Sequence, residues 1–221
     1  MPDIKLLGLA ISVYTRIARL ALEEKNVDYV LQEVDIFADA GPPRDYLALN
    51  PFGTIPCLLH GDLVLYETSA INRYVDEINP AISLQPSPPE QRARMNQIIS
   101  ILDNYCYRPM VWDVYVQRVV VPTDGGLADE ACIVAALPGL RLVLKQLEDW
   151  CGERDFLVGQ ALSLADLHLY PMLSYFIETA EGASMLEAFT RLQQWMRMMQ
   201  LRRSVLATPF HKQAQHETES N

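Results

Sequence analysis

The chain has 221 residues, enough for one large domain or two small ones, and a body of that size can bury a core without a disulfide or a metal to hold it. Its net charge of -10 at pH 7 argues against nucleic-acid binding, which needs clustered Lys and Arg. No apolar run approaches the roughly 20 residues of a membrane span, and four scattered cysteines with no leader-like opening predict a reduced, cytoplasmic protein.

The first part of the chain alternates between strand and helix patterns. Residues 4–8 form a short apolar run that ends in Gly, and helically spaced apolar residues follow Ser12. Residues 29–34 predict a second strand, which completes a strand-helix-strand crossover. After a Gly-Pro-Pro break, we expect a short helix around Tyr46.

Residues 50–71 predict a hairpin followed directly by a helix. The apolar runs 57–59 and 63–65 are joined by a turn at Gly61, which is typical of a β-hairpin. Thr68 then stands where a helix N-cap is expected. The predicted order of elements in this part of the chain is therefore βαβαββα.

Pro56 lies at the mouth of the first hairpin strand, where a trans proline would be an edge defect and a cis bond is the alternative. A cis bond would turn the main-chain N–H and C=O of Ile55 outward, so that an extended peptide could pair with them as an added strand. The first turn of the helix at Thr68 offers free N–H groups and a hydroxyl for a carboxylate. Together these features describe a receptor for a short acidic peptide.

The rest of the chain predicts helices after a stiff linker. Residues 80–89 contain four prolines, so the predicted domains are 1–80 and 90–221, with a linker at 81–89. Helical spacing predicts helices in 95–112, with a kink at Pro109, in 127–150, in 167–177 and in 186–199. A capping box at Ser163 and Asp166 precedes the third of these helices. Residues 119–121 are ambiguous, and the tail 211–221 is polar and expected to fray.

Two motifs carry a resemblance to a known family: Asn-Pro-Phe-Gly-Thr-Ile-Pro at residues 50–56 and Glu-Thr-Ser-Ala-Ile at residues 67–71. With the hairpin between them, they resemble the glutathione-binding half of the glutathione S-transferases. The resemblance implies an α/β thioredoxin-like N-terminal domain, an all-helical C-terminal domain, glutathione as co-substrate, no metal and a homodimer. Phe52 stands where some relatives insert an aromatic key into the partner subunit, and an ordinary packed Phe is the alternative.

Glutathione reacts as its thiolate, yet a free thiol has a pKa of about 8.5, so such a protein must lower that pKa. A hydroxyl donor at the positive end of a helix would do so. Ser12 meets both conditions, and its surroundings resemble the serine-type transferases of the phi class, where the Ser of a Ser-x-x-Thr-Arg pattern activates the thiol. A plain N-cap is the alternative role for Ser12, and Tyr14 is the rival activator.

The resemblance assigns the glutathione contacts to Arg44, Thr54, Ile55, Pro56, Glu67 and Thr68. Ile55 would hold the cysteinyl part through its main chain, and Thr68 would hold the γ-glutamyl carboxylate with Glu67 near the ammonium. Thr54 stands where many relatives have Gln. Arg44 is the basic residue nearest the expected position of the glycyl carboxylate, and a solvated surface charge is its alternative role.

The second substrate is expected between the domains, against Leu9, Ala10, Ile11, Tyr14, Tyr105, Met110, Trp112 and Tyr115. Aromatic and Met side chains at helical spacing are more often core than pocket, so a core position is the alternative for each of those in the helical domain. Cys57, which follows Pro56 in a strand, is expected to be a small buried residue rather than a nucleophile.

Three functions stay open on the sequence alone. The first is thiolate attack by glutathione on a hydrophobic electrophile. The second is a ligand carrier or protein-interaction module that keeps the fold without catalysis. The third is a glutathione-dependent peroxidase, dehalogenase or isomerase, which the sequence cannot separate from a transferase because all of them use the same thiolate and differ in pocket shape.

Overall fold

The computed structural model describes residues 3–209, which divide into two compact units. The first unit contains residues 3–72 and 202–209, and the second contains residues 73–201. The first part of the chain forms β1 (Ile4–Leu7), α1 (Val13–Glu24), β2 (Tyr29–Gln32), α2 (Arg44–Leu49), β3 (Cys57–His60), β4 (Leu63–Tyr66) and α3 (Thr68–Ile78). The predicted order βαβαββα and the thioredoxin-like fold are confirmed. The domain limits at 80 and 90 stay a prediction.

The sheet has four strands in the order β2-β1-β3-β4. β1 pairs in parallel with β2 and antiparallel with β3, and β3 pairs antiparallel with β4. In this register Leu7 lies opposite Cys57, and Cys57 lies opposite Tyr66. The end of β1, the start of β3 and the end of β4 therefore meet at one end of the sheet.

Apolar side chains cover both faces of this sheet. Leu6 and Leu58 face each other across β1 and β3 and are fully buried. Their neighbours point to the opposite face, since successive side chains alternate along a strand. That face carries one buried cluster of Leu7, Val34, Tyr46, Ile55 and Cys57.

Helix α1 begins after Ser12, as the sequence predicts. The Ser12 backbone is extended, with φ -74° and ψ 129°, and its Oγ accepts a hydrogen bond from the Thr15 N–H at 3.3 Å. Such a cap stabilises a helix by about 1 kcal/mol relative to Ala. Ile17, Leu20 and Ala21 form the buried apolar stripe that holds the helix in place.

The second unit is helical, and none of its residues, 73–201, lies in a strand. It contains α4 (Pro89–Ile101), two π-helical stretches (Leu102–Cys106 and Arg108–Val120), α5 (Val121–Thr123), α6 (Glu130–Cys151), α7 (Leu164–Phe176), α8 (Ala180–Leu186) and α9 (Thr190–Gln200). Every residue of α7 is buried, and this helix packs against α4 and the longer π-helical stretch. Among residues 3–209, no helix combines the length and the apolar character that crossing a membrane requires.

The structure settles one ambiguous stretch and corrects one predicted boundary. Residues 119–121, ambiguous on the sequence, are helical. The amphipathic run expected over 186–199 is present as a helix, but its predicted start is wrong, because α8 ends at Leu186 and α9 begins at Thr190. The new start is stabilised from another helix: the Glu148 carboxylate of α6 accepts the N–H groups of Arg191 and Leu192, each at 2.9 Å. A carboxylate at a helix N-terminus satisfies its unpaired donors, and the sequence around residue 190 does not reveal it.

The end of the described chain belongs to the first unit through helix α10 (Arg203–Ala207), which packs on α1. Arg202 donates from Nε and Nη2 to the two carboxylate oxygens of Glu24, at 2.7 and 2.8 Å, and Ser204 Oγ donates to the same carboxylate at 2.5 Å. Burial alone would raise the pKa of Glu24, but these hydrogen bonds lower it overall. The tail 211–221, expected to fray, lies outside the described residues.

Asp166 is fully buried at the start of α7, where it joins three segments of the second unit. Its carboxylate accepts hydrogen bonds from the N–H of Leu157 (2.9 Å), the N–H and Oγ of Ser163 (2.9 and 2.7 Å) and Nε1 of Trp195 (2.8 Å). Burial raises the pKa of the Asp166 carboxyl despite these donors. The predicted capping box at Ser163 and Asp166 is confirmed.

Asp166→Ala should lower the free energy of unfolding by at least about 3 kcal/mol, because it leaves buried donors unsatisfied at about 1–3 kcal/mol each. Urea unfolding followed by tryptophan fluorescence measures the loss. Asp149→Ala is the matched control: Asp149 is 55% exposed in its pair with Lys145, so its removal should cost less than about 0.5 kcal/mol. Equal losses for the two variants would contradict the role given to Asp166.

Candidate active site

The loop after β1 places the hydroxyl group of Ser12 at the N-terminus of α1. The N–H of Ser12 donates to the carbonyl of Leu9 at 3.0 Å, and the carbonyl of Ser12 accepts the N–H of Arg16 at 2.9 Å. Ser12 is partly buried, and its Oγ accepts the N–H of Thr15. A hydroxyl has two acceptor positions and one donor, so Ser12 can cap the helix and still donate to a nearby anion. The cap role and the activating role are therefore compatible.

The loop before β3 is organised by one buried amide. Asn50 is fully buried, and its Nδ2 donates to the carbonyl and to Oγ1 of Thr54 at 2.7 and 3.2 Å. Its Oδ1 accepts the N–H of Phe52 at 3.1 Å. The Tyr46 hydroxyl donates to the same Thr54 carbonyl at 2.5 Å, and burial raises the pKa of Tyr46 to about 12, which keeps it a donor near neutral pH.

The peptide bond between Ile55 and Pro56 is cis, and Ile55 belongs to the buried cluster under the sheet. Within residues 3–209, the N–H and C=O of Ile55 take part in no backbone–backbone hydrogen bond. Pro56 is buried, whereas the Thr54 side chain is exposed. The main chain of Ile55 is thus the place where an extended peptide could pair with the protein.

Helix α3 begins at Thr68 with an unusual residue before it. Glu67 has a φ of 68°, a left-handed conformation that costs a non-glycine residue about 1–3 kcal/mol and that recurs at functional sites. Its carbonyl accepts the N–H groups of Ala70 and Ile71 at 2.9 and 3.0 Å. The preceding N–H groups of Thr68 and Ser69 are those that a helix leaves without an intrahelical partner. They form a site suited to a carboxylate.

Strand pairing brings these three features together. Gly8 to Ser12 follow Leu7, Ile55 and Pro56 precede Cys57, and Glu67 and Thr68 follow Tyr66; these three strand residues lie side by side in the sheet. A capped hydroxyl, an unpaired peptide edge and a helix N-terminus therefore share one end of the sheet.

Arg44 is exposed at the first residue of α2. It lines a cavity of about 920 Å³ together with the carboxylates of Glu33, Asp35 and Asp45. Tyr46, which also lines this cavity, is the link to Thr54. A single guanidinium beside three acidic residues is expected to bind a further carboxylate weakly, because the negative charges repel one another.

The predicted second-substrate residues have unequal exposure. In the first unit, Ile11 is 54% exposed, while Leu9, Ala10 and Tyr14 are partly buried and Tyr14 lies in α1, as predicted.

In the second unit, Met110 is fully buried and Tyr115 packs edge-on against Tyr175, with ring centroids 4.6 Å apart. Trp112 is partly exposed and donates from Nε1 to the Tyr107 hydroxyl at 3.1 Å. Tyr105 is exposed and lines a different surface, a groove beside α6.

Cys57 and Cys106 do not supply a thiolate at neutral pH. Burial raises the pKa of Cys57 to about 11 and that of Cys106 to about 12. Cys57 is fully buried, as expected of a small core residue. In residues 3–209, no group of three or more His, Cys, Asp or Glu side chains is arranged to hold a metal ion.

The supporting roles of Asn50 and Tyr46 were missed on the sequence. The sequence places Asn50 only at the start of the motif at residues 50–56, and Tyr46 only in a short helix. An Asn-Pro pair before a Gly is the available signal for Asn50, because Asn side chains commonly bond to the backbone of the turn that follows. Nothing in the sequence pairs Tyr46 with Thr54.

The fold and the site define a thioredoxin-like protein in which a serine hydroxyl, an unpaired peptide edge and a helix N-terminus share one end of the sheet. Two family models match the chain, described as "Glutathione S-transferase, N-terminal domain" over residues 11–78 and "Glutathione S-transferase, C-terminal domain" over residues 78–202. The chain belongs to the glutathione S-transferase family.

Individual relatives agree with this assignment. Glutathione S-transferase F13 of Arabidopsis thaliana is 31% identical, over 79% of this chain and 81% of that protein. Glutathione S-transferase 1 of Zea mays is 30% identical, over 93% and 95% of the two chains. The structure of glutathione S-transferase I bound with lactoylglutathione superposes with a TM-score of 0.82 at 30% identity, over 94% of this chain and 98% of that one. The predicted resemblance to the phi class is confirmed by such neighbours.

Asn50→Ala should lower the free energy of unfolding by about 2 kcal/mol, because it removes buried hydrogen bonds to Thr54 and leaves the Phe52 N–H without its acceptor. It should also weaken any peptide bound at Ile55, since Thr54 directly precedes that residue. Urea unfolding measures the first effect and titration calorimetry with glutathione the second. Asn96→Ala is the control, because exposed Asn96 bonds only to Arg73 in a pair on the surface; losses as large for Asn96→Ala would contradict the prediction.

Proposed function

We propose that this protein is a glutathione transferase that catalyses attack of the glutathione thiolate on hydrophobic electrophiles and serves in detoxification. The observation that carries the proposal is the meeting of Ser12, Ile55 and Thr68 at one end of the sheet, set by the register of β1, β3 and β4. The family assignment and the similarity to a transferase structure with a bound glutathione derivative support it. A cytoplasmic location, predicted from scattered cysteines and an opening unlike a leader, stays part of this proposal, and the four cysteines are free in the structure.

Ser12 would act on the sulfur of bound glutathione. Its hydroxyl donates to the thiolate, and the N-terminus of α1 adds the positive end of a helix dipole at the same point. Lowering the thiol pKa by two units corresponds to about 2.7 kcal/mol. One hydrogen bond to a charged group plus a helix dipole can supply about that much.

The remaining contacts would hold the tripeptide by its backbone and its charged ends. Ile55 pairs with the cysteinyl main chain, with Pro56 and Thr54 on either side of it. Thr68 receives the γ-glutamyl carboxylate at the start of α3, and Glu67 faces the ammonium group. Arg44 is assigned to the glycyl carboxylate of glutathione. This is expected to be the weakest of these contacts, because acidic residues near Arg44 repel that carboxylate.

Candidate contacts for the electrophile are apolar side chains, considered in each unit by itself. In the first unit, exposed Ile11, beside Ser12 in the sequence, is the best-placed candidate. In the second unit, Trp112 is an exposed aromatic candidate, while Met110 and Tyr115 are buried and would act as support. Because these side chains are apolar or aromatic, the expected substrates are apolar electrophiles rather than charged ones.

Ser12→Ala should lower turnover by about 10² or more with glutathione and a chlorinated aromatic, because the thiol pKa returns toward its free value. Glutathione binding should be largely retained, since its other contacts stay. Tyr14→Phe, which removes only the rival hydroxyl, is the control and should have a much smaller effect. Unchanged turnover in Ser12→Ala would remove Ser12 from the mechanism, and a protein that binds glutathione without turnover would favour a carrier function.

We further propose a homodimer in which Phe52 of one copy enters the apolar groove of the other. Phe52 is 70% exposed and is held edge-on by Tyr66 at a centroid distance of 5.7 Å, so it presents a fixed apolar surface to solvent. The groove has a volume of about 670 Å³ and is lined by the π-helical stretches and α6, including Tyr105, Pro109 and Leu142. Leu142 is 70% exposed, and exposed apolar patches of this kind mark interaction sites. A second copy supplies the matching aromatic group.

Phe52→Ala should raise the dimer dissociation constant by about tenfold or more, as expected for an aromatic anchor in a pocket. Sedimentation velocity over a range of concentrations measures it. Phe37→Ala is the matched control, because Phe37 is also an exposed Phe of the first unit, at 59% exposure. Phe37 is not proposed to enter the groove of a second copy. A monomeric unsubstituted protein, or an equal shift in both variants, would contradict the proposal.

A further inference from the structure

Gly8 and Thr15 are in contact where β1 gives way to α1. A Cβ placed on Gly8 would lie 2.4 Å from Oγ1 of Thr15, closer than real Cβ atoms approach, and 3.1 Å from its Cγ2, which is a tight contact. Gly8 is not among the glycines with a positive φ, so its backbone conformation does not require glycine. The requirement comes from the space that Thr15 occupies.

Neither partner has room to move aside. The N–H of Gly8 donates to the carbonyl of Gln32 at 3.0 Å, and the carbonyl of Gly8 accepts the N–H of Val34 at 3.4 Å, so both backbone groups are tied to the neighbouring segment. Thr15 is fully buried. A side chain added at Gly8 would therefore displace the first turn of α1 rather than find space beside it.

That first turn carries Ser12. The N–H of Thr15 is the donor that Ser12 Oγ accepts, at 3.3 Å. The Thr15 hydroxyl oxygen itself makes no hydrogen bond to the described residues, so this side chain acts by its shape. A shift of Thr15 would move the group that fixes the position of the Ser12 hydroxyl.

We propose that Gly8 and Thr15 are positioning residues that set the distance between the Ser12 hydroxyl and the bound thiol. The inference rests on the proposed role of Ser12. It adds a spacing requirement: the packing distance between the end of β1 and the first turn of α1 controls how strongly the thiolate is stabilised. Neither residue touches the substrate.

The test is a double-mutant cycle with two measured quantities. The first is the pKa of the glutathione thiol bound to the protein, obtained from thiolate absorbance as a function of pH. The second is the turnover number. Gly8→Ala should raise that pKa and lower turnover by about 10- to 100-fold, as expected for a small misplacement of a catalytic group. Gly8→Ala combined with Thr15→Ala should restore both, because the nearest remaining atom of residue 15 is its Cβ at 3.4 Å, an ordinary contact. Gly159→Ala is the control, since its new Cβ would meet only a side-chain oxygen of Gln91 at 3.7 Å.

Ser12→Ala in the same assay separates this inference from the proposed function. An unchanged thiol pKa in Ser12→Ala would reject the role of Ser12 itself. A raised pKa in Ser12→Ala together with an unchanged one in Gly8→Ala, or no recovery in the double variant, would overturn the positioning role alone. If Gly8→Ala does not fold, the double variant decides: a folded protein with the thiol pKa of the unsubstituted chain supports the inference, and failure to fold overturns it.

Discussion

The pairing of Leu7 with Cys57 and of Cys57 with Tyr66 is the constraint on which the site depends. A shift of one residue between β1 and β3 would turn either Leu7 or Cys57 out of their buried cluster, and a shift along either ladder would move the loops at this end of the sheet out of line with one another. Burial of an apolar cluster therefore fixes the geometry of polar groups that lie outside it. The geometry of the candidate site is thus a consequence of core packing on one face of a small sheet.

The first unit could be predicted well because its signals are local. Ser12 before a periodic run, the turn at Gly61 and the helix start at Thr68 each act within a few residues, and each predicted element is present. The break between α8 and α9 could not be predicted, because the carboxylate that stabilises the start of α9 comes from Glu148, more than 40 residues earlier. Where tertiary contacts supply a cap, periodicity alone gives the wrong boundary.

The same contrast between local signals and tertiary contacts holds for the candidate active site. Most of the residues proposed to contact glutathione stand in two short motifs, so the sequence alone is enough to propose them. The groups that hold those motifs in shape were not visible, because Asn50 and Tyr46 act on Thr54 through contacts that only folding creates. The acidic surroundings of Arg44 likewise come from strand and loop residues that are distant in the chain. Supporting residues are therefore the harder part of an active site to infer from sequence.

The contact between α10 and α1 has a consequence for how this protein is made. Arg202 and Ser204 bind the Glu24 carboxylate near the end of α1, so the first unit includes residues that are translated only after the whole of the second unit. Domains generally fold as units while synthesis proceeds from the N-terminus. Here the first unit stays without this segment, and Glu24 without these two donors, until residues 73–201 have been synthesised.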